Sequence, residues 1–476
     1  MCPDANDPLA RQLALLRQLE GRGLARASDF FARLPDGDAP PPPRSGRACF
    51  DHLFPAAERL ASDACAGACR CVRSEAPFAG RPTAQGYLCP AEPFGGPPRS
   101  ADLAALTGDR RWADVDPARI VYLDTETTGL STGTGTYTFL IGLGRFEGER
   151  FIVEQYFMED YADEAAIIAA VDPRLAEAQA LVSYNGLTFD VPLLETRWRL
   201  QRRRPRFPDL HLDLLHYARR LWRLRLPDCS LATVEQQILD ITRLSDVDGS
   251  WVPRIYFDFT RGLRPERIVP VFDHHAQDIY SLGALAAAVL RAWNHPDDAR
   301  FAEAQDQWGL ARLYTLRGRA DEALARMEAA VLAARDEEFG FRLAMHLAKA
   351  YKRRGRTADA VAVWESRAKQ AAPGRLDPLL ELAMHAEHGL KDFAAARRWA
   401  ECALDIIRSH AELRRLTRSM DDLDDVRNGS LSQQLAALGH RVDRLVQRHA
   451  RAEQKGRPKK RTLGPDPLDA PADDKI

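Results

Sequence analysis

Asp124 and Glu126 stand two residues apart at the end of the apolar run Ile120 to Leu123. Side chains two apart on a strand project from the same face. Both carboxylates therefore point one way, and two hard oxygen donors held together suit a hard divalent cation such as Mg²⁺ or Mn²⁺. An isolated Asp-x-Glu also fits a solvated turn, so the pair gains meaning only from other acids.

Three other patches supply them. Leu181-Val-Ser-Tyr-Asn185-Gly-Leu-Thr-Phe-Asp190 reads as a short strand that runs through an Asn-Gly turn into a helix, with Asp190 at the junction. Asp273-His274-His275-Ala-Gln-Asp278-Ile279 opens a helix whose apolar face is Ile279, Leu282, Leu285 and Val289; His274 and Asp278, four apart, share a face. Asp209-Leu-His211-Leu-Asp213 alternates and directs one more acid to one side, where a hydrogen-bonding role near the site suits Asp213 at least as well as ligation. Asn185 reads as a residue that positions substrate or its own turn, and Thr127 as a neighbour able to touch substrate.

In this order the patches resemble the three exonuclease motifs of the DEDD superfamily of 3′ to 5′ exonucleases, and within it the bacterial YprB-like ribonuclease H-like proteins. The matching text includes Gly129-Leu-Ser-Thr-Gly-Thr-Gly-Thr-Tyr-Thr-Phe-Leu140, Asp213 to Trp222, Cys229-Ser-Leu-Ala-Thr-Val-Glu235 and Asp246-Val-Asp-Gly-Ser-Trp-Val-Pro253, and it covers roughly residues 105 to 292. The resemblance implies an α/β ribonuclease H-like core, a mixed sheet flanked by helices, and a metal-dependent nuclease. Asp124, Glu126, Asp190 and Asp278 would hold two divalent ions, Mg²⁺ or Mn²⁺, about 3.5 to 4 Å apart. His274 would be the general base, since an imidazole with an ordinary pKa of about 6.5 can take a proton near neutrality. The superfamily places a His five residues before the last Asp or a Tyr four before it, whereas this chain has Asp273 and His274 there, so His274 occupies the tyrosine slot and His275 is the reserve candidate. Implied substrates are DNA or RNA with a single-stranded 3′ end.

With 476 residues, 45% hydrophobic content and a formal net charge of −1, the chain reads as globular with two or three domains. No apolar run reaches bilayer length, so no membrane partner and a cytoplasmic location are expected. Arg197 to Arg225 is dense in arginine, a stripe suited to phosphates or to a solvated helix face. Cys65, Cys69, Cys71 and Cys89 have neither the spacing of paired C-x-x-C knuckles nor that of a cluster motif, and they are left out of the metal set.

The chain divides by texture into 1–45, an amphipathic helix with a Pro-rich linker; 46–105, Cys-containing and irregular; 106–295, the nuclease-like domain; 301–412, helical repeats; and 413–476, a helix with a charged, disordered tail. Leu310-Ala-Arg-Leu-Tyr314 to Ala323 recurs as Leu347-Ala-Lys-Ala-Tyr351 to Ala360, with a looser copy from Leu382, and the pattern resembles tetratricopeptide repeats. Such repeats imply a protein partner or a helical cap on the core. The opposing functional expectation is a catalytically weak nucleic-acid-binding scaffold that recruits a partner through those repeats.

Overall fold

The computed structural model describes residues 46–61, 67–77, 97–129, 133–243, 247–417 and 425–456. The helix expected near the N-terminus, Cys65 and Cys89, and the basic tail Lys455-Gly-Arg-Pro-Lys-Lys-Arg461 beyond Gly456 lie outside them. Among the described residues a seven-stranded sheet runs in the order β1 (Glu58–Ala61), β2 (Ala68–Pro77), β5 (Arg150–Phe157), β4 (Thr138–Glu147), β3 (Ile120–Thr127), β6 (Ala180–Ser183), β7 (Leu210–Asp213). Strands β3, β4 and β5 form an antiparallel meander, while β6 and β7 lie parallel beside β3. The mixed sheet expected from hairpins followed by βαβ units is present.

Helices α1 (Gly46–Leu53), α2 (Ser100–Thr107), α3 (Glu164–Glu177), α4 (Asp190–Leu200), α5 (Leu214–Trp222), α6 (Leu231–Val234), α7 (Val252–Thr260) and α8 (Ile268–Asn294) accompany the sheet. One reading needs correction. Residues 46–105 are not irregular throughout, because β2 pairs with β5 from Arg70 to Pro77 and β1 pairs with β2, which extends the sheet by two strands. Strand Ala68–Pro77 carries Arg70, Arg73 and Glu75 between its small and apolar residues, so its alternation is weak in the sequence. Pairing along its whole length overrides that weak signal. Cys69 and Cys71 lie on this strand inside an apolar cluster with Phe157 and Phe50, and burial pushes the Cys71 thiol up to about 12.

Strand β3 shows why the acids end up where they do. Ile120 and Tyr122 enter one core with Ile279, Leu282 and Leu285 of α8, and Val121 and Leu123 enter the other with Leu194 and Trp198 of α4. Burying each such side chain contributes roughly 1.5–3 kcal/mol, so the register is firmly set. Continuing the alternation sends Asp124 and Glu126 to the α8 side. Gly142 of β4 lies opposite Asp124, and a Cβ there would fall 2.0 Å from Ile279 Cδ1 and 2.5 Å from His275 Cε1. The absence of a side chain at Gly142 lets α8 settle directly on the sheet beside Asp124.

After α8 the chain becomes helical: α9 (Ala304–Leu316), α10 (Ala320–Ala333), α11 (Glu337–Arg353), α12 (Thr357–Ala368), α13 (Asp377–Met384), α14 (Phe393–Thr417) and α15 (Asp425–Gly456). Gly318 and Gly355 turn the first two hairpins with φ of 72° and 74°, the left-handed conformation that explains the recurring Arg-Gly-Arg. Helix α9 is fastened to the core. Arg225 pairs with buried Asp306, Arg317 donates to Leu106 O at 2.6 Å, and Tyr314 donates to Trp293 O at 2.6 Å.

Candidate active site

The acid cluster forms where β3 ends under α8. Glu126, His274 and Asp278 present ligand atoms that all lie within 4.8 Å of one another. His274 Nε2 is 3.4 Å from Asp278 Oδ2 and 3.8 Å from Glu126 Oε1. Asp124 shares the neighbourhood, since its carboxyl is held well above the ordinary range by burial and then by the negative charges of Asp278, Asp190 and Glu126.

Asp190 opens α4 and is buried. Burial pushes its carboxyl up to about 6, against which Thr125 Oγ1 donates a hydrogen bond. Thr125 lies on the opposite face of β3 from Asp124 and Glu126. The strand end thus holds acids from both layers, two of its own and one brought by α4.

His275 lies against the cluster, its Nε2 3.7 Å from Asp124 Oδ2, with both ring nitrogens already committed. It is fully buried, its Nδ1 is 3.0 Å from Gln155 Nε2 and its Nε2 is 3.1 Å from Asp124 O. Burial drops its pKa to about 4, so it sits as a neutral strut under β3. The residues at minus four and minus three from Asp278 therefore divide their work, with His274 facing the acids and His275 the sheet.

Asp213 has a structural task. Its Oδ1 accepts from Asn185 N at 2.9 Å and caps α5 through Leu215 N at 3.1 Å, while Oδ2 accepts from Leu187 N at 3.2 Å. Asn185 takes the left-handed conformation, φ 66°, which Asn tolerates better than most residues. Its carbonyl accepts from Thr188 N and Phe189 N. The Asn-Gly turn read from the sequence is thus formed, and it delivers Asp190. Thr127 donates to Gly129 O at 2.7 Å, which shapes the exit from β3.

Sequence reasoning missed Arg243. A π-helical turn at Glu235–Leu239 ends on Asp240 with φ 55° and returns the chain beneath α8. Arg243 then donates Nε to Glu235 Oε2 at 2.8 Å and Nη2 to Glu235 Oε1 at 2.6 Å, forms an ion pair with Asp278, and places Nη1 3.1 Å from His274 Nδ1. Its short-range context, Asp240-Ile-Thr-Arg243-Leu, carries no motif. The only sequence hint is Glu235 within the family-like Cys229 to Glu235 stretch.

Comparison with known proteins places this geometry. Residues 121–290 match the RNase_H superfamily model, a span that contains every acid of the cluster. The chain is 34% identical over 292 residues to a Bacillus subtilis (strain 168) protein named Uncharacterized protein YprB, a match that covers 60% of this chain and 69% of that relative. The chain belongs to the YprB-like family of RNase H-like proteins. A nuclease-type fold thus surrounds the YprB-like cluster. Its donor set, carboxylates with one imidazole, is the kind that holds hard divalent ions. Mutual repulsion among Asp124, Asp190, Glu126 and Asp278 is what such an ion relieves, so the residues fit a metal of that class.

Proposed function

We propose that the chain is a metal-dependent 3′ to 5′ exonuclease acting on single-stranded DNA or RNA. The observation that carries the reading is the meeting of Asp124, Glu126, Asp190 and Asp278 around one strand end beneath a helix that also carries His274. Asp124, Glu126, Asp190 and Asp278 would hold two ions, Mg²⁺ or Mn²⁺. Such ions, when bound, lower the pKa of a coordinated water and neutralise charge on the phosphodiester.

The chain's own groups do the rest. His274 is the candidate for the attacking water's proton. While Arg243 donates to Nδ1, the neutral imidazole carries its proton on Nε2 and has no lone pair left to accept another. The base role therefore requires Arg243 to withdraw from Nδ1. Asn185 keeps its side-chain amide without a hydrogen bond among the described residues, so it can meet substrate. Phe189 is 46% exposed immediately before Asp190 and offers a flat face on which an unpaired base can stack.

One observation favours the catalytically weak reading, namely the ion pair of Arg243 with Asp278. Substrates decide between them. Single strands labelled at either end, together with a circular single strand, are incubated with Mn²⁺ or Mg²⁺. The exonuclease releases mononucleotides from the 3′-labelled strand at once, shortens the 5′-labelled strand stepwise and spares the circle. Cleavage of the circle contradicts the exonucleolytic reading, and the absence of any product contradicts the nuclease.

A further inference from the structure

Between α9 and α11, the first helices of two successive hairpins, lies a cleft of about 360 Å³. Trp308, Arg312 and Leu316 line it from α9, and His346, Lys349 and Arg353 from α11. Spacings of three and four residues put each set on one helix face. No carboxylate lines the cleft. Arg312, Lys349 and Arg353 are exposed and form no ion pair among the described residues.

Acids are at hand elsewhere on the same helices' surroundings. Lys352 pairs with Glu381 and Arg354 with Asp321, each outside the cleft. The three cations of the cleft have no such acidic partner among the described residues. His346 registers that field, because burial and then the charges of Lys349, Arg342 and Arg353 hold its pKa below the ordinary value. Trp308 is half-buried with its ring centroid 5.1 Å from that of His346, so a partly open indole sits among the cations. Cations that track a backbone beside an aromatic ring that stacks a base are what a single strand requires.

The cleft is tied to the nuclease core. Gly309, next to Trp308, abuts α5 so closely that a Cβ would lie 2.3 Å from Leu221 O. Helix α5 is capped by Asp213, which holds the Asn185 turn, and its nine residues span about 13 Å. One short helix thus links the turn at the acid cluster to the foot of the cleft.

We propose that this cleft binds the backbone and bases of a single-stranded nucleic acid, a second contact for the strand processed at the acid cluster, and for that strand's identity it rests on the nuclease reading. Binding of fluorescein-labelled oligo(dT) and oligo(U) of about 20 nucleotides to the full chain is followed by anisotropy in chelator across a salt series. The triple variant Arg312→Ala/Lys349→Ala/Arg353→Ala should bind at least tenfold more weakly, with a slope of log K against log salt shallower by about 2, from about 0.7 per lost phosphate contact. Trp308→Ala should weaken binding by about fivefold to a hundredfold at constant salt slope. The three cations are exposed on helices and Ala is a strong helix former, so unchanged thermal unfolding is expected of the triple variant.

Affinity and slope equal to wild type would overturn the proposal. So would polyglutamate of matched charge binding the wild type more tightly than the oligonucleotides and losing that affinity in the triple variant, which assigns the cleft to an acidic peptide. Loss of oligonucleotide binding in the triple variant, with no nucleotide release by wild type in Mn²⁺ or Mg²⁺, keeps the cleft and sinks the nuclease. Cleavage by wild type with unchanged binding by the triple variant does the reverse.

Discussion

Arg243 forms an ion pair with Asp278, the acid one helical turn beyond His274 on α8, while the same guanidinium grips Glu235 through two hydrogen bonds. A cation belonging to the chain thereby neutralises one corner of the cluster that fits divalent ions. Its anchor, Glu235, is buried, and burial raises its carboxyl pKa while Arg243 opposes that rise.

Removing Arg243 therefore has two opposite consequences. Arg243→Met leaves Glu235 buried without its guanidinium, and stability in urea unfolding should fall by about 3 kcal/mol. Adding Glu235→Gln should recover more than half of that loss. Mn²⁺ binding measured by calorimetry should tighten by about fivefold or more, because Asp278 no longer has a competing partner. Unchanged Mn²⁺ affinity would show that Arg243 does not share the metal's place.

Asp190 gives a pH signature. Its carboxyl is pushed up to about 6 in the folded protein, above the ordinary 3.8. The folded state then holds its proton to higher pH than the unfolded chain does. The cost is present above 6 and fades as pH falls through 6 toward 4. His211 and His275, both lowered to about 4 by burial, act in the opposite sense below pH 6.5, so the useful comparison is between proteins that share them. In chelator, Asp190→Asn should be more stable than wild type by about 1–3 kcal/mol at pH 7.5, and the gap should shrink to about a third of that at pH 4.5. Thermal unfolding at both pH values reads it; a gap independent of pH would deny the raised pKa.

Asp213 separates a support from a ligand. Asp213→Ala loses the α5 cap and the acceptor for two turn amides, and urea unfolding should show a loss of about 2–4 kcal/mol. The folded variant should still bind Mn²⁺, weakened by about 10- to 100-fold at most as for the loss of a support, and more tightly than Asp278→Ala does. A loss of metal binding as large as that of Asp278→Ala would make Asp213 a ligand.

Much of this was legible in the residues because the signals were local. The apolar run Ile120 to Leu123 fixes a strand, its alternation sends Asp124 and Glu126 to one face, and the Asn185-Gly turn places Asp190 at a helix start. The four-residue spacing of His274 and Asp278 likewise survives in α8. What escaped depends on contacts between distant segments. His275 faces the sheet because Gly142, 133 positions earlier, leaves room for it. Arg243 reaches Asp278 only through a π turn and a left-handed Asp240, neither of which has a composition signature. Strand β2 is stable because β5 lies beside it, a pairing that its own alternation does not announce.

The central claim is that these acids cleave nucleic acid with a divalent ion. Purified wild type, Asp124→Ala and Asp278→Ala are incubated with end-labelled single-stranded DNA and RNA in Mn²⁺, Mg²⁺ or chelator, and product is resolved over time. Wild type should release nucleotides with either ion and none in chelator, and each variant should lose activity by about a thousandfold or more. Product from the variants at the wild-type rate, or no metal-dependent product from wild type, would contradict the account.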